Sequence, residues 1–134
     1  MKNYLSIPLF FTLLLVSSCQ KENQVENELK EAAANMNKIT PQLLNEGVRL
    51  DSVSVHNNTT LQYNYTLTND SKDDLTPDEI NDYKIEAKEE ALKSIKSSPD
   101  MKNFRDNNVT LRYMYYDKNG KSTTDFSVSP AEYK

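Results

Sequence analysis

The chain has 134 residues, with 16 basic and 20 acidic side chains, a formal net charge of −4 and one cysteine. A mildly acidic chain gives no electrostatic reason to expect binding to nucleic acid. A single cysteine excludes an intramolecular disulfide and a site built from several thiolates.

The N-terminal 18 residues have the features of an export signal. Lys2 precedes an apolar run from Tyr4 to Val16, and Ser17 and Ser18 supply the small residues expected before a cleavage site. This pattern is typical of a secretory signal peptide, and the apolar run is too short to span a bilayer comfortably. The sequence therefore predicts that residues 1–18 are removed.

Cys19 follows directly, so the segment resembles the lipobox of bacterial lipoproteins. Val16 stands where leucine is most frequent in that motif. The resemblance implies that the Cys19 thiol is acylated and that Cys19 becomes the mature N-terminus, with acyl chains such as palmitate buried in the membrane. The alternative is an ordinary signal peptide with a chance cysteine at its edge. The lipobox implies a lipid-anchored protein of the cell envelope, at the outer membrane, on its periplasmic or surface side.

Residues 19–24 are polar and predict a leash, which leaves residues 25–134 as a single domain. Apolar residues at steps of three and four predict a helix from about Val25 to Lys38. Thr40 and Pro41 resemble the start of another helical turn, which Gly47 would close. A strand from Val48 to Val55 follows, with a bulge expected near residues 51–52 because its apolar pattern changes phase there.

The next strand, Thr60 to Thr68, alternates cleanly and is joined to its predecessor by an Asn-rich turn. Thr76 and Glu79 form the pattern of a capping box, which predicts a helix from Pro77 to Ser97. Strands at about 109–117 and 122–128 flank Asn119-Gly120, a type I′ hairpin signal. The predicted fold is α+β, in the order α-β-β-α-β-β, with a four-stranded antiparallel sheet and helices packed on one face.

The pattern N-N-x-T-L-x-Y-x-Y occurs twice, at Asn57–Tyr65 and at Asn107–Tyr115. In both copies the leucine and the tyrosines fall on one strand face, which favours a role in the core. The alternative is a tyrosine-lined pocket in which several hydroxyls converge on a ligand.

Three segments resemble those of a group of small Gram-negative exported proteins and lipoproteins. They are "N-K-x-x-P" within residues 35–41, "R-L-D-S" within residues 45–53 and "Y-x-Y-T-L" within residues 61–67. The resemblance covers most of the mature chain. It implies an envelope location and a compact α+β domain, and it implies no activity.

No catalytic residue, metal site or cofactor is predicted. His56 is the sole histidine and sits beside a turn, and both glycines fit turns. Arg49 and Asp51 are expected to form a strand-surface ion pair. The sequence favours a non-catalytic anchored domain that binds a protein or glycan partner; the alternative is an inhibitor, or an enzyme with an unfamiliar site in the tyrosine-lined pocket.

The predicted partner-binding residues lie on the solvated face of two strands, where methionine, tyrosine and arginine suit a protein contact. They are Gln62, Asn64, Arg112, Met114 and Tyr116. A competing explanation is that the C-terminal segment 130–133, or a second copy of the chain, covers these residues.

Overall fold

A computed structural model describes the backbone of residues 17–134 and the side chains of residues 21–134. The predicted signal peptide covers residues 1–18, of which residues 1–16 lie outside the described residues. The side chain of Cys19 is also outside them. No helix of the described part is long and apolar enough to cross a membrane.

The described chain contains four α-helices, two short 3-10 helices at Lys72–Asp74 and Pro99–Met101, and five strands. The helices are α1 (Ser17–Asn37), α2 (Pro77–Ser97), α3 (Lys102–Asp106) and α4 (Pro130–Tyr133). The strands are β1 (Gln42–Asn45), β2 (Val48–His56), β3 (Thr60–Leu67), β4 (Thr110–Tyr116) and β5 (Ser122–Val128).

The sheet corrects the predicted topology in two respects. It has five strands in the order β1-β2-β3-β4-β5, and its central pair, β3 and β4, is parallel; the other pairs are antiparallel. The prediction of four antiparallel strands was wrong because α2 carries the chain back along the sheet. After a return through a helix, the next strand starts at the same end as the previous one, so the pair is parallel.

The fifth strand is β1, in the segment where the sequence indicated another helical turn. Pro41 follows a cis peptide bond, and residues 42–45 then pair with β2 through a tight turn. Gly47 donates its N–H to Asn45 Oδ1 at 2.9 Å in that turn. All four residues of β1 are exposed, so the strand lacks the alternation of apolar and polar residues that reveals a half-buried strand.

The first helix begins at Ser17, eight residues before the predicted start at Val25. Residues 19–24, predicted as a leash, are helical because they continue a helix already held to the sheet by buried Val25 and Leu29. The second long helix has its predicted bounds. Its capping box is formed by Thr76 and Glu79, each bonded to the backbone N–H of the other.

Both long helices pack against the same sheet face, as predicted. Val25, Leu29 and Ala33 of α1 and Ala91 and Ile95 of α2 belong to one core cluster. The sheet contributes buried residues from its four longer strands: Leu50, Val53, Leu61, Tyr63, Leu67, Leu111, Tyr113, Tyr115, Phe126 and Val128.

The repeated motif meets itself at the centre of this core. The parallel register pairs Leu61 with Leu111, Tyr63 with Tyr113, and Tyr65 with Tyr115. The Tyr63 and Tyr113 rings are stacked with centroids 5.2 Å apart, and those of Tyr65 and Tyr115 with centroids 5.0 Å apart. Stacked aromatic rings stabilise the folded protein by more than the area that they bury. The two copies of the motif are therefore held together by their tyrosine rings and form one continuous seam. We call the pair β3–β4 with these six residues the tyrosine seam.

Candidate functional site on the open sheet face

The face of the sheet opposite the helices carries all five predicted partner-binding residues. The register of the tyrosine seam places Gln62 beside Arg112 and Asn64 beside Met114, with Tyr116 next to Thr66. Alternation along each strand explains this arrangement, since every neighbour of a seam residue must point to the other face. We call Gln62, Asn64, Arg112, Met114 and Tyr116 the open-face patch.

The C-terminal helix does not cover the open-face patch. Tyr133 of α4 is buried on the helical side, where its hydroxyl donates to the carbonyl oxygen of Val109 at 2.7 Å. Lys88 of α2 forms a salt bridge with Glu132 of the same short helix. The competing explanation that residues 130–133 shield the patch was therefore wrong.

Two members of the open-face patch belong to a chain of polar side chains that crosses toward β2. Gln62 Nε2 donates to Asn64 Oδ1 at 3.0 Å, and Asn64 Nδ2 donates to Ser52 Oγ at 3.1 Å. These bonds fix the orientation of both amides. A side chain held in one rotamer loses less conformational entropy when a partner binds.

A β-bulge at the edge of the patch brings Arg49 and Asp51 together. The register between β2 and β3 shifts between Leu50 and Ser52, as the phase change in the sequence predicted. Arg49 Nε lies 2.5 Å from Asp51 Oδ1, and Thr66 donates its hydroxyl to Asp51 Oδ2 at 2.5 Å. The expected ion pair is present, and Thr66 is the third member, which sequence reasoning missed because it lies on the neighbouring strand.

The positive charge of the open-face patch is the guanidinium of Arg112, which is exposed to solvent. One guanidinium nitrogen of Arg112, Nη2, lies 3.7 Å from Asp125 Oδ2 on β5, and both side chains are about half exposed. An exposed pair at this separation contributes little to stability. Beside Arg112, the half-buried side chains of Met114 and Tyr116 supply apolar area. The patch thus combines an exposed cation, fixed amides and an adaptable apolar strip.

The tyrosine seam does not provide the ligand pocket considered as an alternative. Its rings pack in the core on the helical side of the sheet, where they stack on one another and on Phe126. Burial raises the pKa of the Tyr63 and Tyr113 hydroxyls well above the usual value. These groups therefore stay protonated at neutral pH and are poor general bases.

A groove of about 550 Å³ lies elsewhere, between α1 and α3. It is lined by Leu29, Ala32, Phe104 and Val109 together with acidic and amide side chains at its rim, and no tyrosine lines it. Within residues 21–134, no three histidine, cysteine or acidic side chains are grouped closely enough to hold a metal ion.

The buried carboxylate of Asp117 is the polar residue that sequence reasoning missed most clearly. It directly follows β4 and accepts backbone N–H groups from Lys72, Asn119 and Lys121, each at 2.8 Å. Gly120 has the positive φ of +82° in this turn, and its N–H bonds to the Asp117 carbonyl. A type I′ turn needs positive φ at both central residues, so that part of the prediction was wrong.

Three solved structures share this fold at low sequence identity. A protein from Pseudomonas aeruginosa described as secreted matches with a TM-score of 0.70 and 12% identity, covering 85% of this chain and 96% of its own. The pilotin EpsS of the Vibrio vulnificus type 2 secretion system matches at 0.69 and 15%, covering 87% and 98%. The type II secretion system pilotin AspS of Vibrio cholerae matches at 0.64 and 13%, covering 87% and 99%.

Sequence comparison adds a family. The family model described as a domain of unknown function, DUF8479, matches residues 23–124. None of the curated sequences compared with the chain matches it. The matched residues run from the middle of α1 into β5 and so include the whole open-face patch.

Proposed function

The chain belongs to the DUF8479 family, and we propose that it is a non-catalytic lipoprotein of the cell envelope whose open sheet face binds a protein partner. Cys19 is the anchor in this proposal, with the outer membrane as its site. The open-face patch is the contact surface.

The observation that carries the proposal is the uncovered patch on an otherwise packed sheet. Met114 and Tyr116 lie beside an exposed arginine at the centre of the sheet, where no described helix reaches. Tyrosine, methionine and arginine are enriched where proteins contact one another, because they bury large areas and adapt to varied surfaces. This composition favours a protein over a glycan as the partner.

The fold gives supporting context. Two of the structures that share it are pilotins of type II secretion systems, and another is a protein described as secreted. A role beside an envelope assembly is in keeping with these neighbours. The alternative of an enzyme or inhibitor with a tyrosine-lined pocket has less support, because the rings that would line such a pocket fill the space themselves.

The test is the double variant Arg112→Ala with Tyr116→Ala, examined by crosslinking on intact cells and identification of the crosslinked proteins. We expect the double variant to lose a partner that the native protein recovers. Arginine and tyrosine are enriched among interface hot spots, whose truncation costs about 2 kcal/mol or more, about thirtyfold in affinity.

A matched control removes one cation and one apolar side chain from α2 instead. Lys93 and Ile85 are exposed there, and their replacement by alanine should leave both the melting temperature and the recovered partners unchanged. If Arg112→Ala/Tyr116→Ala is as stable as the native protein and recovers the same partners, the open-face patch has no binding role.

A further inference from the structure

The outer edge of the sheet at β1 is bare and apolar. Within residues 17–134, β1 pairs with β2 alone, so the outward backbone groups of Gln42–Asn45 have no strand beside them. Leu43 is 61% exposed and Leu44 is 51% exposed, and Ile39, just before the strand, is 62% exposed. Three of the four large exposed apolar side chains of the described chain are therefore concentrated in seven residues.

The opposite edge of the same sheet is protected in the way that natural edge strands usually are. Lys72 Nζ donates to the carbonyl oxygen of Ser122 on β5 at 2.7 Å, and the exposed carboxylate of Asp125 lies farther along that strand. Charged side chains at a sheet edge prevent pairing with other strands. Residues 39–45 contain no charged residue, although 27% of the chain is charged. The edge at β1 thus lacks the protection that β5 has.

The distance from the anchor argues against the membrane as the occupant of this edge. Cys19 lies near the start of α1 and β1 follows its end, so 18 helical residues separate Cys19 from Asn37. At 1.5 Å per residue this is about 27 Å. If Cys19 carries the lipid, β1 lies at the far end of α1 from the lipid anchor.

Symmetry argues against a second copy. An antiparallel β1–β1 pair in one continuous sheet has its two-fold axis perpendicular to the sheet. That axis reverses every direction lying in the sheet plane, and α1 packs flat against the sheet. If Cys19 carries the lipid, both copies could then reach one bilayer only with the sheet parallel to the membrane, which would turn the exposed acidic side chains of α2, such as Glu86, Glu89 and Glu90, toward the lipid.

We propose that the β1 edge binds an extended, uncharged segment of a protein partner, which pairs with β1 as an additional strand. Backbone hydrogen bonds would supply affinity, and apolar side chains at adjacent positions of the segment, which point to opposite faces, would cover Leu43 on the open face and Leu44 on the helical face. Residues 39–45 carry no charge, so a charged segment would gain no ion pair from the edge strand itself and would lose hydration against Leu43 and Leu44.

This inference rests on the proposed function only in requiring a protein partner, and its site is separate from the open-face patch. The test is amide hydrogen exchange at residues 42–45 of the full-length lipidated protein in three settings: native envelopes, vesicles of lipids extracted from those envelopes, and detergent. We expect about tenfold slower exchange in native envelopes alone, which corresponds to about 1.4 kcal/mol of local protection.

Two substitutions place charge at the edge, Leu43→Lys and Leu44→Lys, and we expect them to abolish the protection. Ile85→Lys is the matched control, because Ile85 is an equally exposed apolar residue, 50% accessible, on α2. It should retain the protection. Since all three side chains are exposed, melting temperatures should stay close to the native value.

Several results would overturn the inference. Equal exchange in all three settings would show a free edge. Protection in lipid vesicles would assign the edge to the membrane, and protection that grows with protein concentration in detergent would assign it to a second copy. Protection that persists in Arg112→Ala/Tyr116→Ala would support the edge site even if that variant keeps all its crosslinked partners.

Discussion

Asp117 shows how one side chain can hold two distant segments together. Its carboxylate accepts an N–H from Lys72 in the loop after β3 and two more from the β4–β5 turn. These backbone hydrogen bonds hold the pKa of Asp117 below its usual value, against the opposing effect of burial. A carboxylate with three N–H donors is a strong acceptor, so the loop and the turn are joined through its charge.

The charge of Asp117 should appear in the pH dependence of stability. Since its folded pKa is below the unfolded value of about 3.9, its contribution is fully present above that value and is lost as pH falls through the folded pKa. We expect Asp117→Asn to lower the melting temperature by several degrees at pH 7. The difference from the native protein should shrink between about pH 4 and pH 2.

Thermal unfolding of both proteins from pH 7 to pH 2 provides the measurement. Other carboxyl groups with lowered pKa values, such as Glu79 and Glu132, are common to both proteins and cancel in the comparison. Two curves that stay parallel down to pH 2 would mean that the Asp117 charge is not used in folding.

At the scale of elements, the tyrosine seam joins the two halves of the sheet. The halves contain the hairpins β2–β3 and β4–β5, and within the sheet the β3–β4 pair joins them, where the repeated motif lies beside itself. Tyr113 stacks on Tyr63 on one side and on Phe126, with centroids 4.8 Å apart, on the other. The aromatic stack therefore runs across the junction from β3 to β5.

Removing rings from the tyrosine seam should destabilise the protein substantially. Tyr63→Ala and Tyr113→Ala should each reduce the free energy of unfolding by about 3–5 kcal/mol, as large aromatic truncations in cores do. In a double-mutant cycle the two residues should show a coupling of about 0.5–1.5 kcal/mol, because their rings stack directly.

Urea unfolding of the two single variants and the double variant measures both quantities. Tyr116→Ala is the control on the same strand, and it should cost clearly less because its side chain is half exposed on the opposite face. Unchanged unfolding of Tyr63→Ala and Tyr113→Ala would contradict a core role and would revive the tyrosine-lined pocket.

Sequence patterns within a helix or strand predicted that helix or strand correctly, whereas the order and direction of the strands in the sheet were predicted less well. The capping box at Thr76 and the alternation around Tyr63 and Tyr113 identified α2 and the central strands, because these patterns depend on nearby residues. The parallel pairing depends on how α2 returns the chain, which no local pattern records. The exposed strand β1 has no buried face and therefore left no periodic signal.

The candidate site was predictable for a similar reason. Outward residues follow from alternation, so the members of the open-face patch were identified from two strands separately, and the in-register pairing brought them together. Thr66 beside Asp51 and the backbone donors around Asp117 could not be predicted, because those contacts join segments far apart in the sequence.

For the whole molecule, the proposed lipid anchor at Cys19 would determine whether the domain stays attached to the membrane. Cys19→Ala should release the protein from membranes and abolish labelling by a palmitate analogue, because the thiol is the acylated group in the lipobox. Three buried acyl chains at about 0.8 kcal/mol per CH₂ would make membrane binding effectively permanent.

Fractionation in high salt and metabolic labelling provide the readouts. Ser18→Ala is a suitable control, since it keeps a small residue before the cysteine and should remain labelled. A Cys19→Ala protein that still sediments with membranes and is still labelled would refute the lipobox interpretation.

The separation of the two motif copies along the chain affects the order in which the domain folds. Each hairpin closes over a short turn, whereas Tyr63 and Tyr113, which face each other, are fifty residues apart. Closing a long loop costs more chain entropy than closing a short one, so contacts of high sequence separation tend to form late and to limit the folding rate. The hairpins should therefore form as local units, and the step that makes the domain cooperative is their joining through stacked aromatic rings. A chain whose second hairpin is still missing would present β3 as an unpaired edge lined with tyrosine.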